Sequence, residues 1–235
     1  MPTAQPSRTT SRAAQREAAI LAAAAELFGK EGFHAVSTRK IAAAAEISEG
    51  TLFNYFSSKN ELMRAILQGI YAELTENATE ILRQEYDSHR RLQQLALNHV
   101  SVMTRDNALF MRLIQSYLNV DLRGYDELRD SVFHKLNLSY AWVFDVTVRE
   151  AQARGELRED VNLSAMRDLF FGGLEYLGRT LFVHDSFDQA DARVASVIDP
   201  LWLSMQPLKP PEQNGIEQAI QRLEAVADRL SSSGK

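Results

Sequence analysis

Apolar side chains recur along this chain at steps of three and four, the spacing that places them on one face of an α-helix. Ile20, Ala24, Leu27 and Phe28 mark a first helix over about residues 14–30. No stretch has the strict alternation of apolar and polar residues that indicates a half-buried strand. The fold class is therefore predicted to be all-α. The further predicted helices are a long one over 59–86 and others over 92–104, 109–119, 125–154, 164–184 and 189–205.

A different pattern occupies residues 37–56, which read STRKIAAAAEISEGTLFNYF. It predicts two short helices joined by a tight turn, the first capped by Ser37 or Thr38 through hydrogen bonds from free helix-end amides. The second helix buries Leu52 and Phe56, which lie four residues apart on one face. Such a helix-turn-helix can place its second helix in the DNA major groove. The same spacing also occurs where two helices simply pack at a corner.

Three runs, ILAAAAELFGKEGF, STRKIAAAAEISEGTLFNYF and SSKNEL, lie in this order within about residues 16–66. Together they resemble the amino-terminal domain of TetR/AcrR-type transcriptional regulators. That family has an alanine-rich first helix, a Gly-aromatic pair, a Gly-Thr-Leu-aromatic recognition helix and Ser-Lys-x-x-Leu at the start of its fourth helix. Two positions depart from the pattern: Glu46, where the family often has Gly, and Phe53, where it more often has Tyr. The ring of Phe53 can still stack on a sugar or a thymine methyl group.

The resemblance implies that the outer side of the second short helix and its flanks contact DNA. Gly50 lets the backbone approach the duplex because it has no Cβ, and hydroxyl groups can bind phosphates near the amino end of a helix. Lys59 is predicted to anchor a phosphate, while Glu49 is assigned to stabilising the helix start. Arg39 and Lys40 fit solvated charge and phosphate contact equally well. The predicted DNA contacts are Thr38, Ser48, Gly50, Thr51, Phe53, Asn54, Tyr55 and Lys59.

The resemblance also implies that the last two helices of the body pair with their copies in a homodimer, and that each body holds a ligand pocket. The mixture of apolar side chains and one arginine among the candidate pocket residues suits a small lipophilic or anionic effector. Packing within the monomer is the alternative for all of these residues. The predicted dimer contacts are Phe171, Leu174, Leu181, Val194, Ile198, Leu201 and Trp202. The predicted pocket residues are Met103, Phe110, Leu113, Tyr117, Trp142, Phe170, Tyr176 and Arg179.

Composition narrows the functional classes. The 235 residues are 45% hydrophobic and include no cysteine, which excludes disulfides, thiolate metal sites and thiol catalysis. The net charge is −5, but residues 1–64 contain eight Lys/Arg and six acidic residues, so a head of +2 precedes a body of −7. That division favours a DNA-facing head. No secretory signal or membrane span is evident, so we expect a cytoplasmic protein.

No catalytic or metal-binding set is apparent, because the five histidines are scattered and none has a second histidine four residues away. We expect no enzyme activity and no cofactor. The predicted organisation is an arm over 1–12, a helix-turn-helix domain over 13–62, a ligand-binding and dimerisation domain over 63–206, and a linker with a C-terminal amphipathic helix over 207–235. The predicted function is a ligand-responsive repressor that binds a palindromic double-stranded operator as a homodimer. The alternatives are a helical carrier of lipophilic ligands and an activator without an effector.

Overall fold

The computed structural model describes residues 8–84, 86–118, 132–207 and 220–224, and within these ranges it describes all side chains except those of 8–11, 105–108, 114–118 and 132–133. The described chain is helical with no strand, which confirms the predicted all-α class. Residues 220–224 are also helical. The α-helices are α1 Arg8–Glu31, α2 Thr38–Ala44, α3 Glu49–Tyr55, α4 Lys59–Arg83, α5 Ser88–Leu118, α6 Val132–Ala153, α7 Leu163–Val183 and α8 Ala190–Met205, and a 3₁₀ turn at Phe187–Gln189 precedes α8.

Helix boundaries differ from the prediction in two places. Helix α1 begins at Arg8 rather than near residue 14, since residues 8–13 contain neither Gly nor Pro to end it. The helices predicted over 92–104 and 109–119 are one continuous helix, α5. Its polar middle also lacks Gly and Pro, and the buried side chains of Met103 and Leu113 hold the helix on either side. The start of the helix predicted over 125–154 lies outside the described residues.

The described side chains form two hydrophobic clusters. The first, here the head cluster, joins one face of α1 to the buried sides of α2 and α3 and to the beginning of α4. The loop between α1 and α2 closes it with Phe33 and Val36, and Leu113 reaches it from α5. The head cluster consists of Ile20, Ala24, Phe28, Phe33, Val36, Ile41, Ala42, Leu52, Phe56, Leu62, Met63, Ile66, Leu67 and Leu113.

The second, here the body cluster, packs α5 between α4, α6, α7 and α8. Helix α4 belongs to both clusters: its residues up to Leu67 face the head, and those from Tyr71 to Ala78 face the body. Helix α5 makes a second connection, because Gly29 of α1 lies so close to α5 that a Cβ built there would be 2.4 Å from Leu109 Cδ1. A movement of α4 or α5 in the body is therefore transmitted to the head through packed side chains.

Candidate nucleic-acid interface and effector site

Serine caps begin α2, α3 and α4, and the first of them, Ser37, is one of the two caps that the sequence predicted for α2. Ser37 Oγ accepts from the Lys40 amide at 3.2 Å, and Ser48 Oγ accepts from the Thr51 amide at 3.1 Å. Ser58 Oγ accepts from the amide of Glu61 at 3.2 Å. These bonds satisfy amide donors that the first turn of a helix leaves unpaired. They fix where α2, α3 and α4 start without help from distant residues.

Glu61 completes the last of these caps in a modified form. Its carboxylate accepts from both the amide and the hydroxyl of Ser57 at 2.6 Å, one residue before the amide that a standard capping box would use. The Ser57 hydrogen bonds lower the pKa of Glu61. The short segment between α3 and α4 is thereby tied to the first turn of α4.

The turn between α2 and α3 has the geometry of a Schellman motif with a glutamate at its left-handed position. Glu46 has a φ of +55°, and its amide donates to the Ala43 carbonyl at 3.2 Å. The Ile47 amide donates to the Ala42 carbonyl at 2.9 Å. Glycine is the usual residue at this position because it has no Cβ to clash. The departure noted in the sequence thus falls where the backbone most favours glycine.

Helix α3 presents the predicted contact residues on its outer side. Gly50, Phe53 and Asn54 are exposed, with Phe53 46% exposed, while Leu52 is buried against the head cluster. Tyr55 is half-buried and packs on the edge of that cluster. The surface at α3 therefore combines a bare backbone position, an aromatic ring and an amide, a mixture that can approach and contact a base edge.

Three hydroxyl groups of this surface already have partners in the free protein. Thr38 Oγ1 donates to Glu49 Oε1 at 2.6 Å, a bond that joins the first residue of α2 to the first residue of α3. The hydroxyls of Ser48 and Thr51 lie 2.8 Å apart in a hydrogen bond. The sequence analysis missed the Thr38–Glu49 pair. Thr38 must release Glu49 before its hydroxyl proton can be given to a phosphate.

Lys59 lies at the start of α4, as predicted, but its ammonium group is turned inward. Nζ donates to the Val36 carbonyl at 2.9 Å and to the His34 carbonyl at 3.4 Å. It also lies 4.7 Å from the centroid of the Phe33 ring, within reach of a cation–π interaction. The side chain is half-buried. Lys59 thus holds the α1–α2 loop against α4, a role the sequence did not indicate, and contact with a phosphate remains a prediction.

The two basic residues of α2 differ. Lys40 Nζ bonds both carboxylate oxygens of Glu31 at 2.6 Å, so its charge is balanced by α1. Arg39 is exposed and forms no ion pair within the described part of the chain. Of these two residues, Arg39 is the one whose charge is available to a phosphate.

The predicted pocket residues do not converge in the structure. Met103 and Phe170 are buried in the body, and Phe110 is half-buried there. Leu113 is buried in the head cluster instead, and the Tyr117 side chain lies outside the described residues. The remaining three lie on the outer sides of α6 and α7, so their part in a ligand pocket stays a prediction. They are Trp142, which is 39% exposed, Tyr176, which is 71% exposed, and Arg179, which is also exposed.

A buried polar group in the body was missed by the sequence analysis. His99 of α5 is 6% exposed and stacks on Tyr140 of α6, which is fully buried, with ring centroids 5.8 Å apart. Phe171 of α7 packs edge-on against both rings. Burial lowers the pKa of His99 to about 4. The available signal was the position of His99 in the apolar period of α5, between Leu95 and Met103.

The predicted dimer contacts are already covered within one protomer. All of them are at most 9% exposed, because the sides of α7 and α8 that carry them face α5 and each other. This corrects the assignment, since a side chain buried in the protomer cannot supply a free surface for a partner. The residues concerned are Phe171, Leu174, Leu181, Val194, Ile198, Leu201 and Trp202.

Other large apolar residues do remain exposed on α7 and α8. Leu169 is 58% exposed and Val183 is 69% exposed, and Tyr176 lies between them on the same helix. Gly172 is also exposed, and Leu203 of α8 is 64% exposed. This set, here the α7/α8 outer face, is the surface that these two helices offer to a partner.

Among the described residues no group of three His, Asp or Glu side chains lies close enough to hold a metal ion. The described helices include none that is both long enough and apolar enough to cross a membrane. His89, one of the scattered histidines, bonds Asp199 at 2.9 Å and stacks on Trp202. That arrangement connects α5 to α8 within the body.

Comparison with known proteins agrees with this architecture. The family model described as bacterial regulatory proteins, tetR family, matches residues 20–66. The HTH-type transcriptional repressor KstR2 of Rhodococcus jostii is 36% identical over 169 residues, covering 71% of this chain and 81% of that protein. The fatty acid metabolism regulator protein of Bacillus subtilis is 24% identical over 183 residues, covering 77% and 91%. The crystal structure of FadR from Bacillus subtilis in complex with stearoyl-CoA has a TM-score of 0.69 at 22% identity, covering 78% and 96%.

The capped two-helix unit, its exposed α3 surface and the all-α body define a helix-turn-helix DNA-binding transcriptional regulator. The chain belongs to the TetR family of bacterial regulatory proteins.

Proposed function

We propose that this protein is a homodimeric repressor that leaves a palindromic operator when a CoA thioester of a lipophilic acid binds to its body. The observation that carries the proposal is the double connection between body and head. Helix α4 is packed into both clusters, and α5 contacts α1 at Gly29 and enters the head cluster through Leu113. An effector that prefers one arrangement of the body will therefore favour one position of the head.

The chemistry of the body supports this class of effector. The side chains that pack around Tyr71 and Phe171 are aromatic and apolar, and such an environment suits an acyl or ring skeleton. Two exposed arginines, Arg112 and Arg179, lie towards the ends of α5 and α7. The Arg112 guanidinium is 5.6 Å from the Phe182 ring, and Arg179 is three residues before Phe182. Cations there suit the phosphates of CoA. The named relatives fit, because one solved structure holds stearoyl-CoA and another relative is a repressor.

The α7/α8 outer face is the proposed dimer surface. The dimer then presents its two heads to successive turns on the same side of a duplex. The proposed DNA contacts remain those predicted from the sequence. Arg39 is added to them, since its charge is not balanced by an ion pair in the described chain. Thr38 and Lys59 exchange an internal hydrogen bond for one to DNA.

The test begins with selection of genomic fragments by the purified protein and measurement of their affinity at several salt concentrations. Binding that weakens steeply with salt, and a palindrome shared by the fragments, are the expected results. Stearoyl-CoA should then release the fragment, and the double variant Arg112→Gln, Arg179→Gln should need about tenfold more of it while binding DNA normally. Absence of DNA binding at low salt would overturn the proposal. Stearoyl-CoA binding without DNA binding would instead indicate a carrier.

Sedimentation measurements test the dimer separately. Leu169→Glu and Leu203→Glu place charges on the α7/α8 outer face and should give monomers with unchanged helix content. Leu138→Glu is the matched control, because Leu138 is 60% exposed and belongs to α6, which contributes no residue to that face. A dimer that persists in both outer-face variants would place the interface elsewhere.

A further inference from the structure

Two polar side chains in the body are deeply buried with hydrogen-bonding capacity left over. Within the described part of the chain, the two ring nitrogens of His99 and the hydroxyl of Tyr140 have no hydrogen-bond partner. The Asn98 side chain lies close enough to the Tyr140 hydroxyl to lower its pKa against the larger effect of burial, and the Asn98 amide also donates to the Leu74 carbonyl at 3.0 Å. The two rings stack at an interplanar angle of 15°. Three unpaired polar atoms therefore lie on adjacent helices, α5 and α6.

Such an arrangement is costly for a structural core. Buried polar groups are almost always paired, because they lose their hydrogen bonds to water on folding. Phenylalanine at either position would keep the aromatic packing with Phe171 and remove the unpaired atoms. Unfavourable groups that persist in an otherwise consistent core are expected at functional sites.

The surroundings decide which ligand atom suits these groups. His99 is neutral at pH 7, since burial lowers its pKa to about 4, and burial raises the pKa of the Tyr140 hydroxyl. Each group can therefore offer one proton without carrying charge. Of the other titratable groups facing this region, Tyr71 of α4 is also kept neutral by burial. Glu175 of α7 lies close enough to raise the pKa of Tyr71, and burial raises its own pKa against the opposing effect of Arg179.

Among the described residues a carboxylate ligand would meet no buried cation beside this pair, so a charged oxygen is disfavoured. A hydroxyl or ketone oxygen carries no charge and can accept protons from His99 and Tyr140. The aromatic rings around the pair exclude any large polar group. The site thus suits a single neutral oxygen on an apolar skeleton.

We propose that His99 and Tyr140 are specificity-determining residues that hydrogen-bond a neutral oxygen, a hydroxyl or a ketone, carried within the lipophilic part of the effector. This inference rests on the proposed function, because it selects among lipophilic CoA thioesters. It adds that the protein prefers an effector whose chain or ring carries a hydroxyl or ketone oxygen over one whose chain or ring carries none. An unsubstituted acyl chain leaves the pair unsatisfied, and a site built to hydrogen-bond a substituent discriminates against the analogue that lacks it.

The first experiment needs neither DNA nor a ligand. Tyr140→Phe and His99→Phe should each raise the unfolding temperature of the unliganded protein by about 2–4 °C, because each removes unpaired buried atoms and keeps a ring of similar size. His89→Phe is the matched control, since His89 already has a partner in Asp199 and its loss should not be stabilising. A fall in the unfolding temperature of Tyr140→Phe would mean that its hydroxyl is satisfied inside the protein, and would overturn the proposal.

The second experiment measures discrimination between probes by their power to release bound DNA. The probes are stearoyl-CoA and a series of stearoyl-CoA derivatives with one hydroxyl or ketone at successive chain positions. At least one oxygenated probe should act at about tenfold lower concentration than stearoyl-CoA on the native protein. In Tyr140→Phe this preference should fall below about twofold.

The outcomes separate the two levels of the argument. Equal responses to every probe, or a preference that survives in Tyr140→Phe, would refute the oxygen-binding role and leave the repressor function intact. Lack of DNA binding, or lack of release by any CoA thioester, would instead contradict the proposed function. In that case direct calorimetric titration with the same probes still tests discrimination by His99 and Tyr140.

Discussion

Replacing Glu46 with glycine is expected to stabilise this protein. Glu46 occupies the left-handed position of the turn between α2 and α3, with a φ of +55°. A residue with a Cβ pays about 1–2 kcal/mol for that conformation, whereas glycine adopts it freely but loses about 0.5–1 kcal/mol more backbone entropy on folding. The net expected gain for Glu46→Gly is about 0.5–1 kcal/mol. The exposed Glu46 side chain makes no hydrogen bond within the described chain that would offset this gain.

The same chain contains the reciprocal case at the end of α6. Gly155 has a φ of +73°; its amide donates to the Gln152 carbonyl and the next amide, of Glu156, donates to the Ala151 carbonyl, both at 2.9 Å. This is the Schellman pattern found at Glu46, here with glycine in place. A Cβ at Gly155 would meet no atom within 4 Å, so Gly155→Ala has only a backbone cost. We expect that variant to lose about 0.5–1 kcal/mol, the opposite of the gain at Glu46.

Thermal unfolding followed by circular dichroism measures both effects, at one protein concentration because dimerisation shifts the midpoint. For a chain of this size the expected changes are about +1 to +4 °C for Glu46→Gly and a similar fall for Gly155→Ala. Glu46→Gln is the control that removes the charge and keeps the Cβ. If Glu46→Gly is no more stable than Glu46→Gln, the strain argument is refuted, and any change would belong to the charge. DNA affinity measured on both variants then isolates the effect of turn geometry on binding.

Three further substitutions test the DNA surface. Gly50→Leu should abolish DNA binding yet keep the fold and the dimer, since nothing lies within 3.9 Å of a Cβ there in the free protein; retained tight binding in a gel-shift assay would exclude close backbone approach. Lys59→Ala should weaken binding to all DNA sequences and flatten the salt dependence of the DNA affinity by about one unit. It should also lower the free energy of unfolding by about 1 kcal/mol, because the hydrogen bonds to the α1–α2 loop are lost. A lower unfolding temperature with an unchanged salt dependence would restrict Lys59 to holding that loop. Glu49→Ala should tighten DNA binding a few-fold by removing both the carboxylate and the acceptor of the Thr38 hydroxyl proton. Unchanged affinity in fluorescence anisotropy would contradict a contact of Thr38 with the duplex.

The parts of the fold that depend on neighbouring residues could be predicted from the sequence. The starts of α2, α3 and α4 follow from serine caps whose partners lie three residues away, and the buried side of α3 follows from Leu52 and Phe56. The continuity of α5 could not be predicted so simply. Its polar middle resembles a break, and only packing of α5 against both clusters shows that the helix continues.

Orientation in the body was harder to predict because α7 and α8 are apolar on nearly every side. Phe171 and Leu174 were assigned to a dimer surface, but they face α5, and the exposed residues are Leu169 and Tyr176. When a helix has one polar side, its sequence indicates that the opposite face is buried. These two helices have too few charged residues to give that indication. Arg179 illustrates the same difficulty, since the sequence did not indicate that its side chain is exposed.

Long-range polar partners were the least predictable feature. The Lys59 ammonium bonds a carbonyl 23 residues earlier in the chain, and the Thr38 hydroxyl bonds Glu49, 11 residues later. Neither pair has a fixed spacing that a motif could reveal. His99 was seen only as one of several scattered histidines, because its unpaired state depends on where α6 and α7 pack against it.

The polar groups of head and body are arranged in opposite ways, and this bears on how the protein can be switched. In the head, Thr38, Ser48 and Lys59 are hydrogen-bonded internally before DNA arrives. The proposed contacts of these residues with DNA are then exchanges, each with a small net gain. Binding must therefore depend strongly on counterion release and on both heads reaching the duplex together. In the body, His99 and Tyr140 have unpaired groups, so these residues give up no internal hydrogen bond when they bind a matching ligand oxygen. The free energy gained when such a ligand binds can exceed the small net free energy of the DNA contacts. The ligand then needs only to change the separation of the heads to release the DNA.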